Sequence, residues 1–397
     1  MASISIYAEI RMMHYSFELF STYEVTSNYL YLSLSSWYNF YTFSRPITNT
    51  LESALFSIAI SNYKINYKDY DLSYLIYGGI SVALRPTAII SYLPLYIYQF
   101  WTSEVKSKLL GSTIQLGLTV LVGLLAFDCV WYRAYTVTIF NFIKVNIIDN
   151  IASSYGVHRF GWYTTQGMFV TCGVTYVLGI YGLYKCYNVH RVAKIYAASF
   201  LLTLLVLELG PHKEFRFIQN AIPIMCLFSA KAINIVFGRK YYQMTINWIV
   251  SINLIAIIYF SLIHQRGPVE VSRYLRRNYC GTKKNFVFVG PCHVLPGEYS
   301  RQCIDGSHLD IKQLTCQPDL RSKDFLNDFV KTNEVAEFNE NPKAFLDDIL
   351  HEDYYGVLMF DNQFDEIMNM HDYKLKEKFF HSHFSDQGQF IYLYTKH

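Results

Sequence analysis

Charged side chains are scarce in this chain. Asp, Glu, Lys and Arg together make up 16% of the 397 residues, whereas hydrophobic residues make up 52%. Soluble domains usually carry about 25% charged residues, so this composition excludes a single ordinary soluble domain and favours a polytopic membrane protein with a soluble part. The net charge of +3 is too small to indicate nucleic-acid binding.

Several familiar patterns are also missing. The chain has no Asn-x-Ser/Thr glycosylation site, no C-x-x-C pair of the kind that binds zinc, and no internal repeat. Its first 23 residues are too polar to hold the apolar core of a cleavable signal peptide. A transporter is disfavoured, because transporters often contain duplicated halves. We predict no metal site and no cofactor.

The sequence instead contains a series of apolar runs that ends near residue 264. Several are shorter than the ~20 residues of a perpendicular membrane helix. Two of them flank Arg85-Pro86 and are either two short passes or one helix broken at the proline; we favour two passes. The predicted spans are 25–43, 47–62, 72–84, 87–101, 109–127, 167–184, 195–209, 217–237 and 245–263. Residues 1–264 are therefore predicted to form an all-α polytopic membrane domain.

The distribution of Lys and Arg predicts the orientation of this domain. Loops 102–108, 185–194 and 238–244 are basic, and basic loops stay on the cytosolic side of a membrane. Loop 128–166, the segment around His212 and the C-terminal part of the chain then lie on the luminal side.

Residues 265–397 are predicted to form a soluble α/β domain. Short buried strands are predicted at 285–290, 355–361 and 389–395, and a helix is predicted at 341–350. Four of the eight cysteines fall in this part of the chain, and they are Cys280, Cys292, Cys303 and Cys316. An oxidising lumen could pair them, so we favour disulfides over free thiols or a metal site.

The most informative stretch is HKEFRF, residues 212–217, which lies between two apolar runs. Ionisable groups at the edge of a membrane segment are costly, are usually paired, and by default mark a functional site. Lys213 and Arg216 could bind a phosphate. His212 could carry a proton, and Glu214 could orient the cations. The alternative is a membrane-edge cluster without chemistry.

Two arginines and one aromatic loop are further candidates. Arg45 and Arg85 are predicted at the luminal ends of short helices, where a planar guanidinium can bind phosphate oxygens bidentately or can simply pack at the interface. The segment 150–167 is rich in aromatic and polar residues. Its Trp and Tyr rings could stack on sugars, or they could form an interfacial aromatic belt.

HKEFRF followed by an apolar helix resembles the HKE-x-RF signature of glycosyltransferase family 22, whose members are polytopic mannosyltransferases of the endoplasmic reticulum. Other segments are similar to the members that add the third mannose of the glycosylphosphatidylinositol (GPI) anchor. These segments are SRPITNTLE (44–52), LRPTA (84–88), NIASSYGVHRFGWYTTQG (150–167), FVGPCHVLPGEYS (288–300), NENPKAFL (339–346) and FFHSHFSDQGQFIYLY (379–394). Their order and spacing together carry the resemblance.

The resemblance implies a GT-C type membrane fold and an inverting α-1,2 transfer of mannose from dolichyl-phosphate mannose to a lipid-linked GPI precursor. Transfer to another lipid-linked glycan is the alternative. It implies donor-phosphate binding by His212, Lys213, Glu214, Arg216, Arg85 and Arg45. It implies acceptor-sugar binding by His158, Trp162, Tyr163 and Gln166. Gly161 stands where the family pattern, HPWHWY, has a second His, which argues against a catalytic role at that position.

Family members also carry an early luminal loop with an Asp-Glu motif that is believed to supply the catalytic base. The early acidic residues of this chain, Glu9, Glu18 and Glu24, form no such pair. We therefore expect the chain to be N-terminally incomplete and the base to lie upstream. The alternative is a non-catalytic relative or subunit, because general-base help is worth ~10²–10⁴-fold.

Overall fold

The computed structural model describes residues 2–63, 72–315, 333–360, 364–385 and 387–396. The chain divides into two compact units, Met1–Ile257 and Ile258–His397. The boundary expected from the sequence, between residues 264 and 265, lies a few residues further along.

The first unit is helical. Its α-helices are α1 (Ala2–Phe20), α2 (Tyr23–Ser35), α3 (Trp37–Phe43), α4 (Thr48–Asn62), α5 (Ser73–Leu84), α6 (Ile89–Thr102), α7 (Lys106–Tyr132), α8 (Thr138–Ile143), α9 (Met168–Cys172), α10 (Val174–Cys186), α11 (Arg191–Leu209) and α12 (Ala221–Ile258). Short 3-10 or π-helical turns are Pro86–Ala88, Lys144–Ile148, Ile151–Tyr155, Tyr163–Gly167 and Phe215–Ile218.

Several helices have the length and apolar character of membrane spans. Within the described ranges, three stretches pass by length and composition, and they are Lys106–Tyr132, Arg191–Leu209 and Tyr241–Tyr279. The pair Tyr163–Cys172 and Val174–Cys186, bent by 110°, would make a fourth span. Most of the apolar surface of α7 is uncovered, as expected of a helix that faces lipid rather than protein.

The division of the predicted spans is wrong at three places. The run 167–184 is broken at Gly173 into α9 and α10, and the other two places are described next. The run 25–43 is two helices, because Ser36 leaves the helical conformation and its hydroxyl accepts a hydrogen bond from the Asn39 amide at the start of α3. The runs 217–237 and 245–263 lie mostly in one continuous helix, α12, so residues 238–244 are not the loop that the orientation prediction assumed. These residues include no proline, and most of them are good helix formers.

The break at Arg85-Pro86 is where the sequence placed it. Helix α5 ends at Leu84, Arg85 is extended, and a 3-10 turn starts at Pro86 before α6 begins at Ile89. Proline has no amide hydrogen to continue the hydrogen bonds of α5.

The core of this unit positions polar groups inside the protein. Helix α4 is buried along nearly its whole length, between α1 and α5. Its polar N-terminal turn, with Asn49 and Glu52, is therefore held away from lipid and water. Polar side chains buried in this way are expected to be paired.

Helices α10 and α12 pack backbone to backbone at two glycines. A Cβ atom on Gly182 would collide with the carbonyl oxygen of Phe228, and one on Gly179 would lie 2.8 Å from the sulfur of Met225. Small residues allow helices to approach this closely in membrane proteins.

The second unit has a five-stranded sheet in the order β2-β1-β3-β5-β4. Strand β1 is parallel to β2 and β3, whereas β5 is antiparallel to β3 and β4. The elements are α13 (Gly267–Tyr279), β1 (Asn285–Val289), α14 (Gly297–Arg301), β2 (Asp310–Gln313), α15 (Glu334–Glu340), α16 (Pro342–Leu350), β3 (Gly356–Met359), α17 (Asp365–Met370), β4 (Tyr373–Phe380) and β5 (Phe390–Lys396).

Apolar side chains cover both faces of this sheet. Helix α13 packs on one face, where Phe286 and Phe288 of β1 point, and α16 and α17 pack on the other, where Val287 and Val289 point. Side chains alternate between the faces of a strand, so a run of apolar residues such as NFVFV is expected of a strand buried on both sides.

The cysteines of the second unit are oxidised where the structure describes them. Cys280, just after α13, is bonded to Cys303, and their Cα atoms are 5.9 Å apart. Cys292 is also disulfide-bonded. Cys316 lies outside the described residues. The cysteines with free thiols, Cys129, Cys172, Cys186 and Cys226, all belong to the first unit.

Candidate active site

Four of the segments singled out in the sequence meet in the first unit. They are the start of α4, the end of α5, the start of the helical run 162–172, and the connection between α11 and α12 that contains HKEFRF. The contacts that join them are hydrogen bonds, ion pairs and cation–π contacts.

Glu214 is the centre of one ion-pair cluster. Its Oε1 atom lies 2.6 Å from an Arg216 terminal nitrogen and 3.0 Å from His212 Nε2. Partial burial acts to raise the pKa of Glu214, but the hydrogen bonds from Arg216 and His212 outweigh it and hold the pKa below the ordinary value of a carboxyl group. The Arg216 side chain remains 47% exposed, so it can reach a ligand.

A second cluster surrounds Arg85. The Nε atom of Arg85 lies 3.6 Å from Glu52 Oε2, and the Asn220 amide donates to Glu52 Oε1 at 2.8 Å. Burial lowers the pKa of Arg85, Glu52 opposes that shift, and the nearby charge of Arg216 adds to it. A guanidinium remains protonated through such a shift.

The two clusters share Phe217. The guanidinium carbon of Arg85 is 5.0 Å from the centre of the Phe217 ring, and that of Arg216 is 5.6 Å from it. Each guanidinium lies at cation–π distance from the ring. The arrangement brings two cations to one aromatic side chain, with Glu52 and Glu214 as their separate counter-ions.

Lys213 has surroundings that the sequence did not predict. Its side chain is 1% exposed, so it does not point toward solvent with Arg216. Its ammonium donates to the carbonyl oxygens of Gly210 at 2.6 Å and His158 at 3.1 Å, and it lies 4.0 Å from Glu208 Oε2. This geometry does not favour the expected contact between Lys213 and a donor phosphate, because the ammonium group is buried among protein oxygens.

Glu208 was not singled out in the sequence. It lies in the last turn of α11 and is buried. One of its carboxylate oxygens accepts a hydrogen bond from the Gly161 amide at 3.0 Å, and the other accepts from the Thr164 amide at 3.1 Å. A lone Glu inside the apolar run 195–209 is the signal that could have identified it, because a charged group in such a run needs partners.

Two of the aromatic side chains in segment 150–167 pack inside the protein, next to the HKEFRF segment, rather than facing solvent. Trp162 and Tyr163 are buried, and the Tyr163 hydroxyl accepts a hydrogen bond from the Glu214 amide at 3.1 Å. His158 stacks on Trp162 with a centroid distance of 4.6 Å and is itself exposed. Gln166 is exposed as well. Of the four residues predicted to bind the acceptor sugar, His158 and Gln166 are therefore the two whose side chains a sugar could reach.

Arg45 is not brought into either cluster by the contacts of the described residues. Its guanidinium lies over the ring of Tyr41, 3.3 Å from the centroid, and donates to the Tyr41 carbonyl. Both contacts are within α3 and its end. Among the described residues, no group of three or more His, Cys, Asp or Glu side chains is placed to hold a metal ion.

Residues 1–299 match the Alg9-like mannosyltransferase family. The curated relatives include GPI mannosyltransferase 3 of Drosophila melanogaster, 32% identical over 79% of this chain and 56% of that protein. They also include GPI alpha-1,2-mannosyltransferase 3 of Bos taurus, 27% identical over 100% of this chain and 73% of that protein. The chain thus spans little more than half of the Drosophila protein and about three quarters of the bovine one.

Among solved structures, ArnT from Cupriavidus metallidurans shares the fold, with a TM-score of 0.56 at 8% identity over 98% of this chain and 82% of that chain. The fold is therefore the GT-C type of membrane glycosyltransferases, as predicted. The chain belongs to the Alg9-like mannosyltransferase family, which confirms the family resemblance found in its motifs.

Proposed function

We propose that this protein transfers mannose, in an α-1,2 linkage, from dolichyl-phosphate mannose to a GPI-anchor precursor in the membrane of the endoplasmic reticulum. The family and the names of the relatives support mannosyl transfer to a GPI precursor. The observation that carries the proposal is the pairing of Arg85 and Arg216 on Phe217 at the edge of the membrane helices.

Arg85 and Arg216 are suited to bind the donor phosphate. In the reaction the acceptor hydroxyl oxygen bonds to the anomeric carbon and gives its proton to a general base. At the same time the bond between the anomeric carbon and the phosphate oxygen breaks, and its electron pair leaves with dolichyl phosphate. Negative charge therefore grows on the phosphate, where guanidinium groups stabilise it most strongly. Because each arginine already has one carboxylate partner, the two side chains are held in place before the donor arrives.

Glu214 and His212 have a supporting role in this proposal. Glu214 orients Arg216 through a 2.6 Å contact, and His212 shares the same carboxylate oxygen. The exposed side chains of His158 and Gln166 are the candidates for hydrogen bonds to the acceptor glycan. Because the rings of Trp162 and Tyr163 are buried, we do not assign them a stacking contact with the sugar.

The test uses cells that lack the enzyme adding the third GPI mannose. The protein is expressed from the longest reading frame that contains this chain, and GPI-anchored surface proteins are counted by flow cytometry. Microsomes from the same cells receive labelled dolichyl-phosphate mannose, and the GPI intermediates are separated by size. We expect restored surface proteins and conversion of the two-mannose intermediate to the three-mannose form.

Variants then connect the activity to the site. Arg216→Ala and Arg85→Ala should each reduce transfer by about 10²–10³-fold, the loss typical of one charge-stabilising donor. Arg133→Gln, at an exposed turn far along the chain from HKEFRF, is the matched control and should transfer normally. Labelling of an N-glycan precursor instead of the GPI intermediate would reassign the acceptor, and absence of transfer to either would favour a non-catalytic relative.

A further inference from the structure

The buried pair of Glu208 and Lys213 joins the two functional segments of the site. Glu208 binds the amides of Gly161 and Thr164, and Lys213 binds the carbonyl of His158. A third connection is the hydrogen bond from the His158 amide to the Pro211 carbonyl, at 2.9 Å. Residues 158–164 of the aromatic segment are thus attached to residues 208–213, the end of α11 and the start of the HKEFRF segment.

The negative charge of Glu208 is electrostatically unfavourable at the end of α11 but favourable at the start of the helical run 162–172. A carboxylate in the last turn of α11 faces the negative end of that helix. The same carboxylate lies at the start of the helical run 162–172, where amides have no partner within the helix. Glu208 therefore acts as a cap for a helix to which it does not belong.

Lys213 completes the arrangement. Its ammonium donates to Gly210, at the end of α11, where a cation is favourable. It also compensates the charge of Glu208, with only 1% of the Lys213 side chain and 3% of the Glu208 side chain exposed. A pair buried to this degree is held by its partners, so loss of one member leaves the other charge uncompensated.

We propose that Glu208 is a positioning residue and that Lys213 of the HKEFRF segment is its partner rather than a ligand of the donor phosphate. The pair sets the distance between the acceptor-side residue His158 and the donor-side residue Arg216. This inference rests on the proposed function for its kinetic consequence, but its structural part is independent of the substrate.

The kinetic test is a double-mutant cycle with Glu208→Gln, Lys213→Met and the combination. Each single substitution should lower kcat by about 10²-fold, the loss expected when reacting groups move apart by ~1 Å, while KM for dolichyl-phosphate mannose stays unchanged. The double variant should be no slower than the slower single variant, because the two residues act as one unit. Lys213→Arg keeps the cation and should restore most of the activity.

The structural test does not depend on activity. Arg159 lies in the exposed part of the aromatic segment, one residue from His158. In detergent, trypsin should cleave after Arg159 faster in Glu208→Gln and in Lys213→Met than in the parent protein, as read by mass spectrometry of the fragments. Glu9→Gln is the matched control, since Glu9 is also a buried carboxylate of this unit, and its hydrogen bonds among the described residues come from Tyr29 and Ser33.

The outcomes separate the two proposals. If the losses in kcat multiply in the double variant, or if Lys213→Met raises KM for the donor, Lys213 is a donor ligand and the inference is wrong. If the parent protein transfers no mannose, the cleavage rates still decide the structural part. Equal cleavage after Arg159 in all variants overturns it. Should Glu208→Gln fail to accumulate, the Lys213→Met and Lys213→Arg pair gives the same comparison.

Discussion

The Phe217 ring lies within cation–π distance of both Arg85 and Arg216, at 5.0 and 5.6 Å. Two guanidinium groups near one ring repel each other. Burial lowers the pKa of Arg85, Glu52 opposes that shift, and the charge of Arg216 acts in the same direction as burial. An anion that binds both groups removes this repulsion. Two arginines placed close together therefore favour a phosphate ligand more strongly than one arginine would.

Phe217→Leu should weaken donor binding. The leucine fills the apolar space but offers no ring to the two cations, and each such contact is worth about 0.5–2 kcal/mol. KM for dolichyl-phosphate mannose is expected to rise several-fold while the protein accumulates normally. Phe217→Tyr keeps the ring and is the control. Equal KM values for the leucine and tyrosine variants would remove Phe217 from the donor site.

Glu214→Gln should reduce transfer less than Arg216→Ala. The amide oxygen of glutamine can still accept from Arg216, but the charge that holds the guanidinium is gone. Single-turnover rates in microsomes measure the difference. A glutamine variant as slow as Arg216→Ala would indicate that Glu214 contacts the reacting groups directly.

The same carboxylate predicts a dependence on pH. The pKa of Glu214 is lowered from 4.5, so the ion pair is fully present above the ordinary carboxyl value and is lost as pH falls through the lowered one. Binding of the donor should therefore not change through ionisation of Glu214 between about pH 5 and 7. Because the His212 imidazole contacts the same carboxylate, donor binding is compared in His212→Gln protein with and without Glu214→Gln, and across that range the two should differ by a constant factor. A ratio that falls toward one near pH 6 would show that the carboxyl group is protonated there.

Glycosylation of an inserted acceptor sequence measures the orientation. The basic loops 102–108 and 185–194 predict that the turn 133–137 is luminal and that the turn 187–190 is cytosolic. A flexible cassette with one Asn-x-Thr site should be glycosylated at the first position and not at the second. Each insertion serves as the control of the other, and a gel shift removed by an endoglycosidase is the readout. The reverse pattern would place HKEFRF in the cytosol.

The Cys280–Cys303 bond should stabilise the second unit. It closes a loop across a sequence separation of 23, and removal of a disulfide of this kind typically costs about 2–4 kcal/mol. Cys303→Ser should lower resistance of this unit to protease, whereas Cys129→Ser, at a free thiol of the first unit, should not. Non-reduced peptide mapping should find the 280–303 link in the parent. Ready alkylation of both cysteines without reductant would contradict it.

Much of the fold could be predicted from the pattern of apolar residues. Strands β1, β3 and β5 were found because all three are central and buried, whereas β2 and β4 were missed because they are the edges of the sheet. Most side chains of β4 are exposed, and four of its eight residues, YKLKEKFF, are charged. The strand therefore has no alternating apolar pattern that would predict it. The fold class and family are confirmed.

The site was harder to predict, because a sequence gives residue types but not the direction of side chains. HKEFRF predicts a cluster of charges, and the cluster is present. Nothing in its letters distinguishes Arg216, which is half exposed, from Lys213, which is buried. That difference arises from Glu208, whose partners lie in a segment more than forty residues earlier.

The glycine contact between α10 and α12 connects a position outside the two charged clusters to the geometry of the candidate site. Helix α12 starts directly after the turn that carries Arg216 and Phe217, so a methyl group at Gly182 would push on Phe228 and shift the helix to which that turn is attached. Gly182→Ala would therefore disturb the turn that carries Arg216 and Phe217 without changing any residue of the two charged clusters.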